Sequence, residues 1–554
     1  MTIPSPFALP EIIYRVGMFI PIWFPRKVLD RQSDYDFKPK DLLAAMHVNR
    51  TFHDTLKPLL WIVYNESALE PRLYKDPHNN GFMVVTPPPR NGISRLTVNK
   101  NCRHIRYLEL IQEGVPAFMF KQPTMFDFKD CTNLRELRLS VYVDPYWVSQ
   151  VIRANPNLRV LEWAYPELRP FEQCRSSRSR DLRGSEDLEY VSTLRNLQGL
   201  SLLGWVLFPL HLCQVLNFNA NTLEELDLTS ETCVIQDQET PTDARWLVPK
   251  YPVTPSRKIG ASGEEEYEFA GPLSLPKLKT LNLDLDWDRT THHSVCGLVR
   301  SMPALEHLNI NPSQHMDPGR LGRNLRASCP RLKSIESEGR QYKNSRKADQ
   351  QRMAGLIGGC ASGHMVTFKM GLTWLDPYTV GALLAHGESL QELDLTFYGR
   401  QESKSDAMMF SSNLFGRCPR LKRVSLTWQG KQLDRTHGSM LLAIPWHCTE
   451  LEKLTLRGFE ATPIGDTNRP LRDFPVLQMF NAQFKDREPG FLYSKEFLEM
   501  FGWVYAAKYS SPGWAADPVF RLLVVMVLCG MNGLTKMKFI QLNGETYLRP
   551  ALWM

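Results

Sequence analysis

The sequence contains no apolar run long enough to cross a bilayer. Its most apolar stretch, "LLVVMVLCGM" at 522–531, is about half of the roughly 20 residues a spanning helix needs. It does not open on a charged segment followed by an apolar core, so a secretory leader is not expected, and neither is a membrane partner. Charge of one sign is scarce too. The formal net charge is only +7 over 554 residues, with Lys and Arg scattered among Asp and Glu, which gives nucleic acid no support as a partner. The eleven cysteines are odd in number and show no zinc-type spacing. Free thiols in a reducing compartment, cytoplasmic and/or nuclear, are therefore expected. Asn49 and Asn65 fit glycosylation sequons, but without a secretory route they read as chance.

Catalytic constellations are missing as well. There is no phosphate loop with its lysine and hydroxyl, and no serine elbow. "GLIGGCASG" (355–363) is glycine-rich but lacks that lysine, and it reads as a turn between repeats. His292 and His293 are adjacent, which points two imidazoles apart, and no helical histidine spacing accompanies them. Asp284, Asp286 and Asp288 alternate at strand spacing and read as a solvated acidic edge. No catalytic residue, metal or cofactor is expected, so function should be recognition rather than catalysis.

What the sequence does have is a recurring frame, apolar-x-x-apolar-x-apolar. "LRELRL" (134–139), "LQGLSL" (197–202), "LEELDL" (223–228), "LKTLNL" (278–283), "LEHLNI" (305–310), "LQELDL" (390–395), "LKRVSL" (421–426) and "LEKLTL" (451–456) carry it in full. Weaker copies begin at 105, 158, 332, 365, 477 and 537, and many copies lie about 24 to 33 residues apart. The last two apolar positions alternate, as in a strand buried on one face. The residues between strands supply a covering helix. In 144–163, for example, Trp147, Val148, Val151 and Ile152 fall at helical spacing, and "NPN" ends the run. One such unit cannot bury its own face, so the units must stack. The fold class expected is α/β: a small all-α module followed by a leucine-rich-repeat horseshoe with loop insertions at about 164–194, 230–274 and 483–520.

Cys102, Cys131, Cys329, Cys418 and Cys448 each lie three residues before the frame and are expected to be small buried residues closing the helix. The exposed strand position of each repeat can be read from the frame. It gives Glu109, Arg138, Glu162, Ser201, Asp227, Asn282, Asn309, Glu336, Asp394, Ser425, Thr455 and Asn481. On the concave face this row is acidic or neutral except at Arg138, and it should suit a basic or hydrogen-bonding segment of a protein target. Aromatics recur just past the strands: Tyr142, Trp205, Trp287, Trp374, Phe397, Tyr398, Trp428 and Phe459. Core packing is favoured for them over a role as binding anchors.

The first 62 residues lack the frame. Leu9 and Pro10 precede apolar residues at helical spacing, Ile12, Ile13, Val16 and Phe19, and proline suits a first helical turn. After an insertion at about 21–40 a second pattern runs through Leu42, Leu43, Met46, Val48, Phe52 and Leu56, with Pro58 breaking it before Leu59, Leu60 and Trp61. This arrangement resembles the F-box, in Leu9–Ile13, then Asp41, Leu42, Leu43, Val48, Arg50 and Phe52, then Pro58–Trp61. Together with the repeats, the chain resembles F-box/leucine-rich-repeat proteins of fungal type. The resemblance implies a three-helix module over 1–62 docking a Skp-type adaptor, and through it a cullin–RING ubiquitin ligase. Leu9, Pro10, Ile12, Ile13, Val16, Leu42 and Leu43 would face the adaptor. Residues 63–102 would link and cap the solenoid of 103–554, whose row would hold the substrate. The alternative reading of its residues, less favoured, is a cap on the repeat array.

Overall fold

The computed structural model describes residues 9–25, 35–65, 73–75, 82–85, 100–111, 130–140, 145–164, 190–203, 205–207, 209–229, 234–235, 254–259, 265–270, 274–284, 295–296, 298–310, 317–337, 354–372, 377–397, 413–428, 447–457, 504–505, 539–542 and 545–548. Backbone contacts divide the chain into two units, Met1–Asp286 and Trp287–Met554.

The first unit opens with three helices, α1 (Pro10–Met18), α2 (Lys40–Met46) and α3 (Arg50–Leu60). Helix α1 begins at its proline, as expected. Ile13, Leu42, Met46, Leu56 and Leu59 close over one another as its core. Gly17 lets α1 approach α3: a Cβ there would overlap Leu56 and lie 2.6 Å from Leu59 Cδ1. Asn49 caps α3 by accepting from Phe52 N at 2.9 Å, which gives that residue a helical role. The expectation that Pro58 ends the helix is corrected. The helix runs through it to Leu60, because a proline so near the end removes one hydrogen bond while burial of Leu56 and Leu59 holds the turn. Within the expected insertion, β1 (Trp23–Pro25) and β2 (Tyr35–Phe37) pair antiparallel.

Strand β3 (Val63–Asn65) follows α3 directly, and β4 (Leu73–Lys75) and β5 (Phe82–Val85) form an antiparallel pair. The repeats then contribute β6 (Tyr107–Ile111), β7 (Glu136–Ser140), β8 (Val160–Ala164), β9 (Gly199–Leu203), β11 (Glu225–Thr229) and β15 (Thr280–Asp284), with the short β10 (Val206–Leu207) and β12 (Val234–Ile235) paired beside them. Strands β3, β6, β7, β8, β9, β11 and β15 lie parallel in that order. Part of the 63–102 segment is therefore the sheet's first strand. Trp61, two residues before β3, is buried. Helices α4 (Pro145–Ala154) and α5 (Pro209–Phe218) lie between strands, and Val148, Val151 and Ile152 of α4 are buried as their spacing predicts. The insertion at 230–274, expected as a loop, contains an antiparallel hairpin of β13 (Thr254–Ile259) and β14 (Glu265–Ala270).

The second unit has parallel strands β16 (His307–Ile310), β17 (Ser334–Ser337), β18 (Thr367–Leu372), β19 (Glu392–Phe397), β20 (Arg423–Trp428), β21 (Lys453–Arg457) and β23 (Phe539–Leu542). Strand β22 (Val504–Tyr505) and β23 both pair antiparallel with β24 (Glu545–Leu548). Helices α6 (Pro318–Ser328) and α7 (Pro377–Leu384) lie between strands. The glycine-rich stretch is mostly not a turn. Residues 354–359 are helical, and the turn is confined to Ser362 and Gly363, the glycine at φ +71°. Its glycines serve packing. A Cβ on Gly359 would lie 2.8 Å from Gly322 Cα of α6, so two helices of successive repeats meet backbone to backbone.

Neighbouring repeats enter their strands the same way. Arg135 N and Glu136 N both donate to Arg106 O, at 2.7 and 3.0 Å, and Arg159 N and Val160 N both donate to Arg135 O, at 2.7 and 3.0 Å. The frame's apolar positions are the core: Leu134, Leu137 and Leu139 in one repeat, and Leu158, Leu161 and Trp163 in the next, are all buried. The five cysteines before the frame are buried thiols, as expected. Burial pushes the thiols of Cys329, Cys418 and Cys448 up to about 12. Of the aromatics past the strands, Trp205 and Phe397 are buried. Trp205 Nε1 donates to Trp163 O at 2.8 Å, and the two indoles meet edge to face at 4.7 Å. For these two, core packing is the outcome. Tyr142, Trp287, Trp374, Tyr398 and Phe459 lie outside the described residues.

Candidate recognition surfaces

Helix α1 divides its apolar residues between two faces. Ile13 and Gly17, four apart, turn inward onto α3, while Leu9, Pro10, Val16 and Phe19 are exposed and Ile12 is half-buried. Val16 is 51% and Phe19 86% exposed. Leu9, Val16, Met18, Phe19 and Val48 make up five of the six large apolar side chains that are exposed among the described residues; the sixth is Tyr378. Two expected docking residues are corrected. Ile13 and Leu42, 2% and 1% exposed, are core residues of the module, because their helix faces are the ones that close on α3. Leu43 is half-buried at the edge of that core.

The strand-face row is a true register. In the first unit Asn65, Glu109, Arg138, Glu162, Ser201, Asp227 and Asn282 are successive partners across adjacent strands. Each of the six from Glu109 on is flanked by buried apolar residues, and each is half-buried except Arg138, which is exposed. Arg138 Nη2 lies 3.5 Å from Glu136 Oε2. Burial raises the carboxyl pKa of Glu162, with the Asp227 charge adding to the rise and Arg138 opposing it. The row therefore places an acidic group where desolvation already disfavours its charge.

In the second unit the row runs Asn309, Glu336, Lys369, Asp394, Ser425, Thr455 and Gln541. Lys369 and Gln541 were missed by the frame reading, although "MVTFKM" and "MKFIQL" had signalled both strands. The expectation of a row with Arg138 as its lone cation is corrected: Lys369 Nζ pairs with Glu336 Oε1 at 2.9 Å. Thr455 is only 6% exposed and does not face solvent. Asn481 lies outside the described residues, and β21 pairs directly with β23. Among the described residues no cluster of metal-ligating side chains occurs, and no helix is long and apolar enough to cross a membrane. His292, His293, Asp286 and Asp288 lie outside them.

Parallel strands with frame leucines beneath them, and helices between them, define a leucine-rich-repeat α/β solenoid. No protein-family profile matches the chain, and no curated relative does. Among solved structures the chain is similar to a chain in the Rad7–Elc1 complex of yeast, at 14% identity, covering 68% of this chain and 87% of that one, with a TM-score of 0.35. It is also similar to the leucine-rich-repeat-containing protein LegL7 from Legionella pneumophila, at 11% identity, 63% and 92% coverage and a TM-score of 0.29. A third is TLR13 in a complex with ssRNA13, at 13% identity, 64% and 46% coverage and a TM-score of 0.29. At such scores the fold rests on the register and burial described above.

Proposed function

We propose that this chain is the substrate-recognition subunit of an SCF-type ubiquitin ligase, with an F-box at 1–62 holding a Skp-type adaptor and the repeats holding a protein target. The observation that carries the reading is the exposure of large apolar side chains on the three-helix module, Leu9, Val16, Phe19 and Val48. A soluble module gains nothing by showing those side chains to water, and such patches mark protein interfaces. The chain itself supplies no catalytic residue in this reading. Its contribution is to hold the target's lysines near a ubiquitin-conjugating enzyme, which raises their effective concentration.

A cap on the repeat array is the second reading. It is favoured by the junction, where Ile62 O accepts from both Arg106 N and Tyr107 N and β3 opens the sheet. Capping uses the end of α3 and β3, however, and leaves Val16 and Phe19 outside. Affinity capture of the full chain separates the two. Val16→Asp/Phe19→Asp should abolish recovery of adaptor and cullin while leaving the melting temperature unchanged. Adaptor recovery equal to wild type would reject the docking face, and recovery of adaptor without cullin would favour a scaffold outside any ligase.

A further inference from the structure

Two cavities of the first unit lie side by side where the chain enters the strands. One, about 570 Å³, is lined by Asn133, Arg135, Asn157, Arg159, Asn196 and Gln198 among others. Its neighbour, about 240 Å³, is lined by Tyr14, Pro58, Arg103, His104 and Arg106, and shares Asn133 and Arg135 with the first. Among the described residues no carboxylate lines either one.

The arginines are placed by the repeat. Arg106, Arg135 and Arg159 each stand immediately before a strand, and each is linked to the next through its backbone carbonyl. Adjacent strands are about 4.8 Å apart, and like charges on neighbouring strands repel. Elsewhere the same column resolves this by pairing. Lys279 meets Glu224 at 2.6 Å, and Lys333 meets Glu306 at 2.7 Å. Here three consecutive cations stand together, with Arg135 and Arg159 exposed and Arg106 half-buried. Arg103 Nε donates to His104 Nε2 at 3.2 Å, so that imidazole nitrogen is an acceptor and Arg103 extends the cationic edge.

We propose that this edge binds an acidic or phosphorylated peptide segment of a partner protein, with its carboxylates or phosphates on Arg106, Arg135 and Arg159. Guanidinium groups match both anions bidentately. The groups between them fit a peptide better than a nucleic acid. The side-chain amides of Asn157, Asn196 and Gln198 both donate and accept, as an extended peptide backbone requires. Asn133 Nδ2 already donates to Arg103 O at 2.8 Å, which leaves its Oδ1 to accept from a peptide N–H. A nucleic-acid strand needs a run of aromatic platforms for its bases, and only Tyr14 and His104 bring aromatic rings to either cavity among the described residues. The edge shares no residue with the strand-face row or with the exposed apolar residues of α1, so its test does not depend on the ligase reading.

The test uses the full-length protein and fluorescence anisotropy. The probes are a labelled peptide carrying four glutamates, its phosphoserine counterpart, its glutamine counterpart, and an oligouridylate of equal length. Both acidic peptides should bind more tightly than the glutamine peptide, and added salt should weaken them. Arg106→Ala/Arg135→Ala/Arg159→Ala should weaken them at least ~10-fold, while Lys422→Ala should not. If the triple variant fails to fold, Arg135→Gln and Arg159→Gln, both at exposed side chains, should each weaken binding severalfold. Equal binding of the glutamine peptide, no binding of either acidic peptide, or unchanged affinity in the variants overturns the proposal. Tighter binding of oligouridylate than of either acidic peptide overturns it in favour of a nucleic-acid surface.

Discussion

Asn155 offers the sharpest test of how one repeat is fastened to the next. It is buried at the end of α4, and its side chain completes three hydrogen bonds. Leu134 N donates to Oδ1 at 2.7 Å, and Nδ2 donates to Val151 O at 2.8 Å and to Cys131 O. Two of those partners belong to the preceding repeat, so the amide acts as a rivet between repeats. Asn155→Ala removes all three bonds and leaves two carbonyls and an N–H buried. At about 1 kcal/mol net per bond the cost is about 3 kcal/mol, and more if the orphaned groups stay dry. In an array stabilised by nearest-neighbour interfaces the loss should be local. Hydrogen exchange of peptides covering 131–164 should therefore speed up by roughly 100-fold.

Asn155→Asp makes the reasoning stricter. A carboxylate can still accept from Leu134 N but faces two carbonyl oxygens with no proton to offer. It should be worse than alanine at neutral pH, and its deficit should shrink as pH falls and the buried carboxyl takes up a proton. Asn219 makes the same three bonds with Leu197 N, Leu194 O and Val215 O, at 2.9, 3.1 and 2.9 Å. It shares no partner with Asn155, so the two alanine variants should add. A change in exchange below about fivefold for Asn155→Ala, or an aspartate milder than alanine at pH 7, would refute the rivet.

Gly359→Ala should lower stability by about 1–3 kcal/mol, because its Cβ meets Gly322 backbone that cannot yield. Gly358→Ala, with only Ala382 Cβ at 3.9 Å, should be neutral or stabilising in the same urea titration. Glu162 has its carboxyl pKa raised mainly by burial, so folding favours its protonated form. Glu162→Gln should raise the urea midpoint at pH 7, and its advantage over wild type should vanish as pH falls below the ordinary glutamate value; an advantage that grows on acidification would contradict the sign. Cys329, Cys360, Cys418 and Cys448 have thiols pushed up to about 12 by burial. In native protein at pH 8 they should alkylate about a thousandfold more slowly than in urea, read by peptide mapping. Equal rates in the two conditions would show that these repeats open freely.

Much of the solenoid was legible because its rule is local. Alternation fixes which side of a strand is buried, so Leu137 and Leu139 go inward, and Glu109 and Asp227 outward, by parity alone. The cysteines before the frame could be read the same way. The exposed apolar residues of the helical module were legible only in part. The helical spacing of α1 marked Val16 and Phe19 as apolar but could not separate them from Ile13, since only the position of α3 decides which face it covers. Leu42 was misplaced for that reason. Pro58 was misread because local propensity yields to packing in a last turn.

The sequence by itself determined the repeat, the buried set and the resemblance that motivates the proposed function. Each follows from spacing within a few residues. The tertiary structure decided the neighbours. Lys369 beside Glu336, Gly359 against Gly322, and Arg106, Arg135 and Arg159 in one column all join residues from different repeats. The lengths between those repeats vary, so no fixed spacing announces the pairs. Charge on this protein is balanced in composition and uneven in space, and the stacking of repeats is what gathers it.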